Sequence, residues 1–589
     1  MKRSEIKEQY KWNIADIFES DEEFYKKVKE IEQKIDFSSY KGKLNNAKTI
    51  KECYDNLYAL ALDLEVLSVY AMMRRDENAD DRRANELSGT IEELYIKFSS
   101  QASFIDVEIT ALTNSELDAL ISDESLSIYK RDLTRLKEYK PHVLSEDCEK
   151  LLALGGKVFG GYHDVFSMID NVDLDVPEII VDGKKVKVSH ATYSLLLQNP
   201  NKNVRKKAFK AYYGAYRKLL NTITATYKGN VDKNVFISKV KNFNSCLDRA
   251  LFNEEVDKKV YEKLLESVNK NLKTLHAYIR FRKSVLGGTL NMYDLYVPLV
   301  KNAEIALDYD DAYELVIKGL EPLGKEYESL LRRAKNERWI DVYESEGKRS
   351  GAYSVCTYGL KHPFVLLNYT KTTHSVFTIA HELGHALHSF MSNRSQPQTT
   401  ADYKIFVAEV ASTVNEILLI KYLINNESDV NVKKYLLSYY LDTLRTTLFR
   451  QTMFAEFEYI AHTSAEKGET LTKEFLNEKY LELNKKYYGK SVKSNEEISY
   501  EWARIPHFYT AFYVYKYATG IISAVNIAES ILKDGQVAVD KYFKFLSSGS
   551  SDTPVNLLKI AGVNLETDAP YNVCMQSFKD ALTQLEKIK

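Results

Sequence analysis

A chain of 589 residues is too long to close around one core and should hold two or more domains. Hydrophobic residues at 44% and charged residues at 28% exclude extended disorder. The formal charge of −2, from 81 basic and 83 acidic side chains, supplies no field for nucleic acid or an anionic membrane.

Only 10 prolines and 23 glycines favour long helices over turn-rich β architecture, so a mostly α fold is expected. The N-terminal MKRSEIKEQYKWNIADIF starts basic but has no apolar run behind it, unlike a signal peptide. No 18 uncharged apolar residues stand in a row, so no membrane helix is expected. Cys53, Cys148, Cys246, Cys356 and Cys574 are scattered and lack C-x-x-C spacing, which reads as reduced thiols of a cytoplasmic protein.

In chain order, Leu57, Leu60, Leu64, Leu67 and Tyr70 recur at three- and four-residue spacing and predict helix over 50–106. Further helical runs are predicted over 203–240, 260–286, 311–335, 432–463 and 572–587. Two stretches break the pattern. In 179-IIVDGKKVKVS-189, apolar residues alternate on both sides of Asp182-Gly183, a hairpin signal. In 347–370, Gly and Ser are followed by a β-type run from Phe364 to Tyr369. The expected organisation is an N-terminal helical region, 1–195, with the hairpin near its end, and a helical catalytic domain, 196–589. The 42 tyrosines suit helix packing, and their hydroxyls can furnish polar tips to clefts.

The chemistry concentrates in 377-FTIAHELGHALHSF-390, where three of 11 histidines fall within eight residues. His381 and His385 share a helix face with Cβ atoms about 5–6 Å apart, close enough to hold one cation. Imidazole nitrogens at about 2.0–2.1 Å suit zinc. Glu382, one step round the helix, is placed to touch a metal-bound water as a general base. Composition alone yields about 0.03 such motifs by chance, so the match is specific.

The metzincin continuation would need glycine at 388 and histidine at 391, whereas this chain has His388 and Met391. The apolar run 404-KIFVAEVASTVNEILLIKYLI-424 holds only two acids, Glu409 and Glu416, seven apart on one face. Such carboxylates are costly unless paired or bound to metal. Glu409 is the expected third ligand. Glu416 either holds the other N–H of a ligand histidine or forms an ion pair between helices. A fourth ligand at His388 would close the open position of a catalytic zinc, so His388 belongs to packing or to the support of the ligands. His374 lies near the expected N-cap at Ser375 and has no role.

Here the chain resembles the oligoendopeptidase F family, bacterial relatives of thimet oligopeptidase. The resemblance runs nearly end to end, through 12-WNIADIF-18, 293-YDLYVPLV-300, 348-KRSGAYS-354, 363-PFVLLNY-369, the histidine motif, 406-FVAEVASTVNE-416 and 505-IPHFYTAFYVYKYATG-520. It implies a mostly helical, two-lobed zinc peptidase with a deep substrate channel and a small β element beside the active-site helix. It also implies one Zn2+ on His381, His385 and Glu409, the base at Glu382, and short peptides as substrates. In the last segment, relatives use a histidine and tyrosines to stabilise the tetrahedral intermediate. His507 takes the first role, and Tyr509, Tyr513 and Tyr515 compete for the second. Ser350 to Ser354 and Phe364 to Tyr369 resemble the part that pairs with substrate backbone, which an edge strand does whatever the side chains.

The expected activity is therefore hydrolysis of internal bonds in short oligopeptides. The alternatives are a helical zinc carboxypeptidase trimming C-termini and a non-catalytic peptide-binding scaffold, against which an intact Glu382 argues. A zinc aminopeptidase is less favoured because no G-x-M-E-N segment is present. No nucleic acid or membrane partner is expected, and the oligomeric state is not encoded in any motif.

Overall fold

A computed structural model describes residues 1–300 and 303–588 and is predominantly helical, with short strands. The chain forms two compact units, each assembled from three stretches. The first comprises Met1–Pro141, Ile305–Tyr422 and Ile527–Gly562; the second comprises His142–Glu304, Leu423–Asn526 and Val563–Lys589. The units interleave along the chain, whereas the sequence reading set two consecutive regions meeting at residue 195.

In the first unit, the run predicted over 50–106 is two long helices, Ala47–Glu77 and Arg82–Ala102. Asn46 caps the first by accepting the Thr49 N–H, and Asp81 caps the second by accepting the Arg83 N–H. The first of these helices is long and apolar enough to cross a membrane by length and composition alone, a test that core helices also pass. Its periodic residues Leu60, Leu64, Leu67 and Tyr70 instead lie in a core with Phe24, Ile31, Leu87 and Ile91.

The same unit holds a three-stranded sheet. Phe364–Leu366 is central, with Ile340–Asp341 parallel on one side and Tyr353–Val355 antiparallel on the other. Tyr353–Val355 is thus an edge strand. Trp12 anchors the sheet: its ring meets Phe364 edge-on at 6.3 Å and its Nε1 donates to Glu77 at 2.6 Å. Lys348 makes a buried ion pair with Asp341 at 2.7 Å, and Arg3 reaches the other oxygen of Asp341 at 2.6 Å. Asn368 donates to the carbonyls of Arg349 and Gly351, bracing the turn that leads into the edge strand.

In the second unit, Glu178–Val181 and Lys184–Lys187 form the expected hairpin. Asp182 (φ 48°) and Gly183 (φ 79°) both occupy the left-handed region that a two-residue type I′ turn requires. Helix Lys202–Val240 is 39 residues long and buries Tyr212, Tyr213, Tyr216 and Tyr227 on its inner face. The predicted run 260–286 is two helices that meet at Asn271, and 311–335, in the first unit, breaks at Glu321–Leu323. The run 432–463 is interrupted by a wider π-helical turn, Arg445–Arg450.

Candidate active site

The histidine motif lies in helix Thr373–Ser395, whose apolar residues Val376, Phe377, Ile379, Ala380, Leu383 and Leu387 are all buried. Thr372, rather than Ser375, is the N-cap: its hydroxyl accepts the Ser375 N–H at 3.2 Å. The helix therefore starts one residue before the exposed His374. Glu409 and Glu416 project from helix Ile405–Asn426.

The two helices touch at Gly384. A Cβ there would sit 2.5 Å from Ser412 Cα and 2.7 Å from the Ala411 carbonyl oxygen, both backbone atoms. Only glycine permits this approach. Asn415 ties the pair by donating to the Ala380 carbonyl at 3.0 Å, and Tyr327 holds Asn415 in turn at 3.1 Å.

This contact brings three donors together. His381 Nε2 and His385 Nε2 are 3.2 Å apart, and each lies 3.4 Å from Glu409 Oε2. Ligands at about 2.0–2.1 Å from a tetrahedral ion stand about 3.3–3.4 Å from one another, so the triangle has the size of one face of a zinc site. Among the described residues, no Lys or Arg pairs with Glu382, Glu409 or Glu416, and a cation would balance that charge. The donor set fits a divalent metal of the zinc type.

Glu416 Oε1 accepts from His381 Nδ1 at 3.0 Å. One imidazole is thus held at both nitrogens by carboxylates two turns apart on the same helix. Burial raises the Glu409 carboxyl, but hydrogen bonds from His381 and His385 outweigh it and hold the group below its ordinary range. Glu382 is 7% exposed, and burial pushes its carboxyl up against the pull of the same two histidines.

His388 lies outside this arrangement. Its buried ring stacks on Tyr403 at 3.8 Å, and burial, with the neighbouring His385, lowers it to about 3. It is a packing residue.

The 505–520 segment belongs to the second unit. His507 is exposed and stacks on Tyr513 at 5.7 Å. Its Nε2 is 3.2 Å from the hydroxyl of Tyr517, a residue that sequence reasoning did not single out. Tyr509 is turned into packing, hydrogen-bonded to Thr226 at 2.8 Å and stacked on Phe166 at 4.4 Å. Tyr515 is fully buried with its ring 5.2 Å from Tyr261. His507, Tyr513 and Tyr517 therefore form one group, and Tyr509 and Tyr515 stand outside it.

Comparison with known proteins gives the chain its family. A model of peptidase family M3 matches residues 195–576, and one of oligopeptidase F matches 108–175. The chain belongs to peptidase family M3. It is 40% identical to oligopeptidase PepF of Bacillus subtilis over 591 residues, covering all of this chain and 88% of that one. It is 39% identical to an oligoendopeptidase F homolog of Borreliella burgdorferi, covering 100% and 99%. Among solved structures, oligoendopeptidase-F from Enterococcus faecium is 32% identical with a TM-score of 0.74, covering 96% of this chain and 98% of that one. Membership makes this chain a metalloendopeptidase with the mostly helical peptidase fold.

Proposed function

We propose that this M3 enzyme is a zinc-dependent endopeptidase that cuts internal bonds of short peptides. The observation that carries the reading is the 3.2–3.4 Å triangle of His381, His385 and Glu409 donors, with the buried Glu382 adjoining it in the motif. One Zn2+, when bound there, supplies a Lewis acid that lowers the pKa of water and polarises a carbonyl. Glu416 fixes His381 through Nδ1–H and leaves Nε2 as the metal donor. Glu382 takes the proton of the attacking water and hands it to the departing amine. His507, with Tyr513 or Tyr517, offers donors to the developing oxyanion. The open side of strand Tyr353–Val355 takes the substrate backbone, which gives tolerance of many side chains. The free thiols of all five cysteines suit a reducing cytoplasm.

The test is mass spectrometry of a ten-residue peptide blocked at both ends, incubated with wild type, with Glu382→Gln and with chelator-treated enzyme. Internal cuts lost in both controls and restored by zinc are expected. Trimming seen only after unblocking the peptide would overturn the endopeptidase reading in favour of an exopeptidase.

A further inference from the structure

The second unit contains a cavity of about 370 Å3 that none of the proposed hydrolytic steps uses. On its wall Glu501, 3% exposed, accepts from Arg450 Nη2 at 2.6 Å and from Arg504 Nη2 at 3.1 Å, both at the same oxygen. Tyr213 donates to the same oxygen and Tyr480 to the other, so four donors converge on this one carboxylate. Two guanidinium groups thus share one carboxylate and leave one positive charge in excess.

Hydrogen-bond donors are in surplus too. Among the described residues, Nη2 to Glu501 is the one hydrogen bond Arg450 makes, and its Nε and Nη1 meet no acceptor. Tyr193, Tyr296 and Tyr488 also line the cavity, their hydroxyls have no hydrogen-bond partner among the described residues, and Tyr193 and Tyr488 are 5% and 2% exposed. None of these polar atoms is sealed inside the protein, so they open onto the cavity, where water or a ligand can meet them. Arg450 ends the π-helical turn Arg445–Arg450, and such turns recur at functional sites.

A structural ion cluster would close on itself, with acceptors matching donors. Here the free side of Arg450 and three phenols are left facing the cavity. We propose that the cavity is a binding site for an oxyanion, a carboxylate or phosphate group held by Arg450 and the three phenols. Guanidinium forks and phenolic hydroxyls are the usual donors to such groups. The volume exceeds that of a bare ion and accommodates the body of a small molecule among the aromatic rings. A carboxylate could come from the C-terminus of a peptide, a phosphate from solution.

Calorimetric titration of the full-length enzyme at low ionic strength tests this with three probes: inorganic phosphate, N-acetylphenylalanine and N-acetylphenylalaninamide. Saturable binding of at least one of the two anions is expected. Arg450→Gln should weaken it about tenfold or more, because it removes a charge-assisted donor while leaving Glu501 paired with Arg504. Ser194→Trp, at an exposed position on the cavity rim, should block entry without touching the charges. Binding of the acid but not the amide assigns a peptide carboxylate, and tighter binding of phosphate assigns the free anion. No saturable binding of either anion, or equal affinity in both variants, would overturn the proposal.

Discussion

Gly384→Ala is the most informative single change in the metal centre. The added methyl would stand 2.5–2.8 Å from three backbone atoms of Ala411 and Ser412, so no side-chain rotation can relieve it. One helix must move by about 1 Å to restore van der Waals contact. Overpacking of this kind costs about 1–3 kcal/mol, and rigid backbone neighbours place it at the upper end. Replacing a helical glycine by alanine returns about 1 kcal/mol, which leaves a net strain of about 2 kcal/mol. Glu409 lies one turn before Ser412, and Ser412 Oγ donates to its Oε2 at 3.1 Å, so the displacement moves the third ligand directly. If ligand binding must reverse the shift, zinc affinity falls about 30-fold. Competition with a fluorescent zinc chelator reads this out, and peptide cleavage at saturating zinc gives the residual loss. Unchanged zinc affinity together with a raised melting temperature would refute the reasoning, since the helix-propensity gain would then act alone.

Glu382→Gln should retain zinc in the same competition assay while cleavage falls by about 10²–10⁴-fold. Glu416→Ala should weaken zinc about 10–100-fold by freeing the Nδ1 side of His381, with a smaller effect on cleavage once zinc saturates. His507→Ala should leave zinc affinity intact and lower kcat about 10²–10³-fold, and Tyr517→Phe should do more damage than Tyr509→Phe in the same peptide assay. Glu501 gives a pH signature. Burial raises its carboxyl, but Arg450, Arg504 and Tyr480 hold it down to about 2 from an ordinary 4.5. A depressed folded pKa contributes stability that is present above 4.5 and is lost as pH falls towards 2. Urea unfolding should therefore separate wild type from Glu501→Gln at pH 7 and show the gap closing between pH 4.5 and 2.

The metal-binding half of the site is legible in the sequence because helical geometry is local. Spacings of four and seven fix which side chains share a face, and Glu409 and Glu416 stand out in an otherwise apolar helix. Gly384 and Asn415 left a weaker trace, a helix-breaking glycine and a polar residue inside a buried run, and their partners lie about thirty residues away. The choice among tyrosines was not legible for a related reason. Phe512 sits at φ 54° with its N–H given to Glu458 at 2.6 Å, so no regular helix register runs from His507 to Tyr517. Helix breaks followed the same rule. The Glu321–Leu323 break carries a proline that announces it, whereas the π-turn at Arg445–Arg450 adjoins a tertiary hydrogen bond from Arg445 to the Leu295 carbonyl that no local pattern encodes.

The interleaving of the two units bears on how this chain is made. The first unit needs Ile527–Gly562 and the second needs Val563–Lys589, so neither has its full set of stretches until ribosomes have passed residue 527. At about 5–20 residues per second, the first 141 residues wait on the order of tens of seconds for their last partners. During that interval apolar faces such as that of Ala47–Glu77 must be held by neighbours within the N-terminal stretch or by a chaperone. A nascent chain stalled before residue 527 would leave both units unfinished at once, and loss of the last helix, Ala569–Lys587, would strip the second unit of the serine that meets Tyr440.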